Sequence, residues 1–395
     1  MFDYYFTWSQ QKNIQPLSVQ CAAEDYFVCD DGRIVYDFIS TSFQASFGHS
    51  NKVIIDGIIR QTEQLSIVPP KSTFTLKERV TRQLIDFVNL GPGKIFYTVS
   101  GAEAVENAIK MARRISDKPI VLSRQRSYHG ASLGAMSVSG DWRSWEHLNF
   151  AEGTRRIPEP EEDPDAEGAK RIVEMVGANR IAAIIVETIS GTNGVIIPPA
   201  SWLKGLRRIC DENDILLIFD EVLVGFFRCG SPLAFHDLGG QPDMVCLSKA
   251  LTGGYIPMGA LWTSSRVAQF YEEHTLTGGL TSYAHPLGLA AVDSVMALIQ
   301  QTEFHETRLA LQDIFDQRVR QLASDFAATA VRCRGLLAAI EFGKTRLPSL
   351  NSFWKAGLHL YCRDQMMILA PPLISQPERL SQAFQQVDDL LRAQG

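Results

Sequence analysis

No two cysteines of this chain stand close enough for a CxxC unit. The seven, Cys21, Cys29, Cys210, Cys229, Cys246, Cys333 and Cys362, are scattered and odd in number. That pattern argues against a disulfide framework and a zinc site, and fits a reducing compartment. Positive charge is not in excess: 38 Lys+Arg stand against 44 Asp+Glu, so nucleic acid is not an expected partner. No apolar run is long enough to cross a bilayer, so no membrane partner is expected. The opening MFDYYFTWSQQ lacks the basic start and apolar stretch of a signal peptide, and a cytoplasmic location is the expectation. Repeats and low-complexity tracts are absent. No GxGxxG opens a strand–helix unit, which argues against a nicotinamide enzyme.

What remains is a chain of 395 residues, 45% hydrophobic and 21% charged, long enough for a large core and more than one domain. The acidic, proline-bearing run at 159–165 reads as a solvated loop. The most informative stretch lies at 215–261. There the apolar runs ILLIFD and DMVCLSK end in Asp220 and Lys249, and upstream IAAIIVE ends in Glu187. Short apolar runs bounded by turn signals suit strands buried on both faces of a parallel sheet. The amphipathic SWLKGLRRICDEND between two of them predicts strand, helix and strand in alternation. Ligands of such sheets sit beyond the carboxyl ends of the strands. A lysine there can form a Schiff base, and a carboxylate can partner a protonated pyridine nitrogen. Either residue alone reads as a turn cap or an exposed strand-end charge. Together they favour pyridoxal 5′-phosphate (PLP) as cofactor.

In TVSGAEAVENAIKMARR, Val105, Ala108, Ile109 and Ala112 have helical spacing, and Ser100 with Glu103 forms a capping box. Gly101 and Ala102 then offer backbone amides at a positive helix end, a ready phosphate site. Every helix needs a start, so this feature by itself does not mark a site. Tyr128, His129 and Gly130 follow an apolar strand, and an aromatic there can stack on a flat heterocycle; His129 also reads as an ordinary core or surface histidine. Val222, two residues beyond Asp220, falls on the same side of an extended chain. Trp8, Phe43 and Phe47 can line a pocket or belong to the core. Asp31 and Gly32, between alternating apolar residues, signal a hairpin.

Taken in order, SGAEAVENAIKMAR, YHG, VETISGTNGVIIPP, FDEVLVGFFRCG, LSKALTGGYIPMGAL and LTSYAHPLGLAA resemble the class III aminotransferases of the fold-type I PLP enzymes. The resemblance implies an α/β fold: a large domain with a mostly parallel central sheet flanked by helices at 51–290, and a small α+β domain at 291–395 on which residues 1–50 pack. It implies that Lys249 is the Schiff-base lysine and Asp220 the partner of the pyridine nitrogen. Gly101 and Ala102, with Ser100 beside them, match the phosphate amides. Tyr128 matches the stacking aromatic, with His129 and Glu187 at the same rim, and Val222 the opposite ring face. Thr281 matches a threonine donated to the partner's phosphate, hence a homodimer with shared active sites. Three departures agree with one another. Ala131, Thr192 and Leu223 stand where the ornithine-like branch has arginine, glutamate and glutamine. They point to the omega-amino acid or amine:pyruvate branch, transferring an amino group from an amine or omega-amino acid to a keto acid such as pyruvate. Arg363 then matches the arginine that grips the acceptor carboxylate, and Trp8 and Phe43 are the candidate substrate walls. An aminomutase or decarboxylase of the same fold, or a PLP-binding relative without turnover, is the alternative. Phe227, Tyr283 and Ala284 also depart from the family pattern.

Overall fold

The computed structural model describes residues 2–150 and 152–393. Its central sheet has seven strands in the order Gly93–Thr98, Gly259–Ser264, Met244–Leu247, Leu216–Asp220, Ile181–Glu187, Ile120–Arg124 and Thr154–Ile157. Only Gly259–Ser264 runs against its neighbours; the other pairings are parallel. The mostly parallel α/β sheet expected from the apolar runs is the one that forms.

Those runs are continuous because neither face of the sheet meets water. Ile184, Val186, Leu217, Phe219, Val245 and Leu247 pack into one core. Ile185, Leu216, Ile218, Met244 and Cys246 pack into another. Successive side chains point to opposite faces, so a strand between two helical layers has no polar side. Helix Gly101–Ser116 buries Ala104, Val105, Ala108, Ile109 and Ala112. Its start is tied by Ser100 Oγ, which accepts from the Glu103 N–H at 3.2 Å, while Glu103 Oε2 accepts from the Val99 N–H at 3.0 Å. Helix Ala200–Asn213 buries Trp202, Leu203, Leu206 and Ile209.

The acidic run at 159–165 is only partly the solvated loop expected. Glu161 and Glu162 are exposed, but Glu159 and Asp163 are buried. Glu159 Oε2 accepts from buried Arg124 at 3.1 Å. Asp163 accepts from the N–H groups of Gly168 and Ala169, capping helix Glu167–Val176. A charge pattern does not reveal which carboxylates have a buried cation or helix start waiting for them.

The hairpin joins Tyr26–Cys29 to Ile34–Asp37, with Gly32 at φ 81 and its N–H bonded to Cys29 O. Ile34–Asp37 then takes Leu358–His359 as a parallel neighbour, and the Ala370 N–H bonds Phe38 O at 2.8 Å. The two ends of the chain are thereby interlocked. A further, wholly antiparallel sheet orders Ala330–Arg334, Leu337–Glu341, Met366–Leu369 and Tyr361–Arg363, with helix Thr302–Asp325 against it and helix Pro377–Arg392 against that helix. Within the central sheet, strands Gly93–Thr98, Ile120–Arg124, Ile181–Glu187, Leu216–Asp220 and Met244–Leu247 all end on one edge. That edge carries the site.

Candidate active site

A cavity of about 510 Å³ opens at this edge. Gly101, Ala102, Tyr128, His129, Glu187, Asp220, Val222 and Lys249 line it, and Trp8 and Phe43 supply apolar wall. Five strand ends thus deliver residues far apart in sequence to one space. Four candidates are not brought there. Ser100 is turned into the helix cap. Thr281 is exposed and outside the cavity. Arg363 lines a neighbouring open cleft, its guanidinium 4.6 Å from the Trp142 ring centroid. Phe47 is fully buried in the core.

Lys249 lies two residues beyond strand Met244–Leu247, at φ 50. A left-handed backbone costs an L-residue roughly 1–2 kcal/mol, so the fold holds this side chain in place against local preference. Its Nζ stands 5.2 Å from the Phe43 ring centroid. Burial lowers its pKa to about 8, with Asp220 and Glu187 pulling it up and Arg143 pushing it down. An amine with that pKa is roughly 10% neutral at pH 7, against roughly 0.03% for an ordinary lysine.

Asp220 Oδ2 pairs with His129 Nδ1 at 2.8 Å, both side chains buried. Its Oδ1 accepts from the Val222 N–H at 3.0 Å. That bond folds the chain into turns from Val222 onward. The extended-chain argument for Val222 therefore fails: a turn closed by Asp220, rather than strand alternation, brings Val222 to the cavity. Glu187 Oε1 accepts from the Tyr128 N–H and Oε2 from the Gly191 N–H, each at 3.1 Å. Burial raises the Glu187 pKa, opposed by His129 and Arg124. The third strand-end acid is thus a clamp that holds the Tyr128 segment against the sheet.

The residues present fit PLP. No hydrogen bond takes up the N–H of Gly101 or Ala102 among the described residues, although Glu103 and Ala104 are capped by Ser100. A Cβ on Gly101 would meet Val222 Cγ1 at 2.9 Å, so the helix start keeps its amides bare only as glycine. His129 Nε2 is buried without a partner. A half-buried amine for an aldehyde, a buried carboxylate for a ring nitrogen and open helix-start amides for a phosphate share one cavity.

Several lining residues were not legible in advance. Ser40–Phe43 is a turn of consecutive positive-φ residues, held by bonds from Ser40 Oγ to Ala370 O and from the Thr41 N–H to Asp37. It presents Phe43, an expected wall, and with it Ser42, which no sequence signal marked, to the cavity. Nothing in STSF signals a left-handed turn. Arg143 also lines the cavity, its guanidinium carbon 3.6 Å from the Tyr128 ring centroid. In sequence it sits in an unremarked polar stretch between two tryptophans.

The sheet, the cavity at its carboxyl edge and the lysine and carboxylate that line it define a fold-type I PLP enzyme. The chain belongs to the aminotransferase class-III family, whose model matches residues 7–391. It is 29% identical to an omega-aminotransferase of Caulobacter vibrioides, over 98% of this chain and 96% of that one. It is also 29% identical to an omega-amino acid–pyruvate aminotransferase of Pseudomonas putida, over 95% and 92%. The crystal structure of taurine:2-oxoglutarate aminotransferase from Bifidobacterium kashiwanohense, in complex with PLP and glutamate, is similar at a TM-score of 0.91 and 28% identity, covering 98% of this chain and 95% of that chain. This protein is a PLP-dependent aminotransferase.

Proposed function

We propose that this enzyme moves an amino group from an amine or omega-amino acid to pyruvate, with Lys249 and Asp220 as its catalytic residues. The observation that carries the assignment of residues is that buried Asp220 and half-buried Lys249 line one cavity beside the open helix start of Gly101 and Ala102. Bound there, PLP supplies an electron sink for the carbon attached to the substrate nitrogen. Lys249 would hold the cofactor's aldehyde, and its low pKa keeps part of its amine unprotonated near neutral pH. Lys249 Nζ would also serve as the base that takes the proton from the donor carbon and returns it. The Asp220 carboxylate supplies the countercharge for a ring-nitrogen proton, and His129 fixes its orientation. Tyr128 and Val222, which line the cavity, would hold the ring between them, Glu187 holds Tyr128 in place, and Trp8 and Phe43 would form an apolar wall for the donor.

The choice of an amine or omega-amino acid donor rests on Ala131, Thr192 and Leu223, and on likeness to relatives that carry those names. We also propose a cytoplasmic homodimer in which Thr281 completes the partner's phosphate site; its exposure outside its own cavity supports this. The test is a panel of amines and omega-amino acids assayed with pyruvate and with 2-oxoglutarate, alongside sedimentation and PLP affinity of Thr281→Ala. Alanine formation from omega-amine donors is the expected result. Transfer confined to 2-oxoglutarate would refute the pyruvate assignment, and a monomer with full PLP affinity would refute the shared site.

A further inference from the structure

Arg228 is fully buried, yet its guanidinium meets no carboxylate among the described residues. Nη1 donates to Leu336 O at 3.1 Å and to Pro371 O at 2.5 Å. Nη2 donates to Ser40 Oγ at 3.1 Å and to Ser46 Oγ at 3.0 Å. Nε is left without an acceptor. With only neutral acceptors, burial pulls the pKa down to about 10. Asp37 opposes that from a distance, but its own partners are Thr41 and His49. A buried cation held by neutral groups costs more than an apolar side chain of the same volume. A second cost lies beside it. Ser40, Thr41, Ser42 and Phe43 take φ values of 47, 47, 62 and 71, four successive left-handed residues without a glycine. In each, Cβ crowds the following carbonyl oxygen. Asp37 holds the middle of this turn through the Thr41 N–H and hydroxyl, and Arg228 grips it from both sides, at Ser40 and at Ser46 just beyond it.

Backbone strain persists only where the surrounding structure imposes it, and it gathers at functional sites. The last residue of this turn is Phe43, whose ring centroid stands 5.2 Å from Lys249 Nζ. We propose that Arg228 is a positioning residue for the Lys249 cavity: by gripping Ser40 and Ser46 it keeps the left-handed turn closed, and so fixes the Phe43 ring beside the lysine. Arginine suits the task because its planar fork serves two pairs of acceptors at once. The second pair, Leu336 O and Pro371 O, lies next to strands Leu337–Glu341 and Met366–Leu369. Ser40 Oγ, which accepts from Arg228, donates in turn to Ala370 O at 2.7 Å. One guanidinium therefore ties the turn to the C-terminal antiparallel sheet, and the Phe43 wall takes its position from both. The placing of Phe43 stands on this geometry alone; its effect on the donor rests on the transamination reading above.

The test compares Arg228→Gln, Arg228→Lys, Ser46→Ala, Phe43→Ala and the double variant Arg228→Gln/Phe43→Ala. Two readings are taken, with the urea midpoint of each variant measured alongside. The first is the rate at which phenyl isothiocyanate, a neutral ring-sized reagent, labels Lys249 of the apo-protein, followed by peptide mass spectrometry. Its plateau at high pH, where the amine is neutral, reports access to the lysine. Losing charged hydrogen bonds shifts the closed-to-open ratio of the turn about tenfold or more, so Arg228→Gln should raise the plateau about tenfold. Arg228→Lys and Ser46→Ala should raise it less, and Arg228→Gln should add nothing once Phe43 is alanine. The second reading is the kcat/KM ratio of hexylamine to butylamine in the holoenzyme with pyruvate. It should fall about fourfold in Arg228→Gln, the worth of one buried methylene. A lowered urea midpoint with labelling and donor ratio at wild-type values would overturn the proposal, leaving Arg228 a strut of the core. So would additive effects of Arg228→Gln and Phe43→Ala. If Arg228→Gln gives no folded protein, Arg228→Lys and Ser46→Ala decide by the same readings, and wild-type labelling in both overturns the proposal. If the wild type aminates no keto acid, the transamination reading fails; the labelling, which needs no turnover, still decides whether Arg228 places Phe43.

Discussion

Lys249→Met should make the cofactor-free protein more stable at neutral pH, although it removes the residue proposed to anchor the cofactor. Burial lowers the Lys249 pKa from 10.5 to about 8. At roughly 1.4 kcal/mol per unit, that shift corresponds to about 3 kcal/mol of destabilisation. The sign follows from proton counting. Between pH 8 and 10.5 the unfolded chain holds a proton on this amine that the folded chain has lost, so stability rises with pH across that window. The penalty is complete below pH 8 and vanishes above 10.5. Methionine has a similar unbranched shape and no charge, and it keeps the left-handed backbone, so the strain at φ 50 is common to both proteins. Urea unfolding of the two apo-proteins, from pH 7 to pH 10.5, measures the difference. An advantage of about 3 kcal/mol at pH 7 that shrinks toward zero at the upper limit is expected. A methionine variant no more stable than wild type at pH 7, or an advantage independent of pH, would refute the reasoning.

Three further outcomes follow from the same geometry. Gly101→Ala places a methyl 2.9 Å from Val222 Cγ1 and 3.2 Å from Ser248 Cβ, and should weaken PLP binding about tenfold with unchanged far-ultraviolet circular dichroism. Glu187→Ala strips the Tyr128 and Gly191 N–H groups of their acceptor and Arg124 of one of its two carboxylates; a loss of about 3–5 kcal/mol in denaturant midpoint analysis is expected, with Glu187→Gln intermediate. Burial raises Glu221 to about 7, against the hydrogen bonds it accepts from Thr188, Ala234 and Phe235. The folded chain then holds an extra proton between pH 4.5 and 7, so this group's contribution to stability is complete below 4.5 and is lost as the pH rises through 7. Proton uptake on folding at pH 6, smaller in Glu221→Gln, checks it calorimetrically.

Local chemistry determined much of this protein. Runs such as IAAIIVE and LLIFD can only be strands with two dry faces, and the helices between them force those strands parallel. A parallel sheet puts its strand ends on one edge, so Glu187, Asp220 and Lys249 had to emerge near a common ligand space. Ser100 and Glu103 announced the helix start that leaves Gly101 and Ala102 open. Tertiary structure decided what no local pattern encodes. Arg143 reaches the cavity because Thr192 and the Tyr128 ring hold it there, whereas Arg363 lies against Trp142 in the neighbouring cleft. The left-handed turn at Ser40–Phe43 exists because Asp37 and Ala370 hold it from outside. A side chain's destination depends on partners distant in sequence, and the energies that settle it arise only once the chain has closed around them.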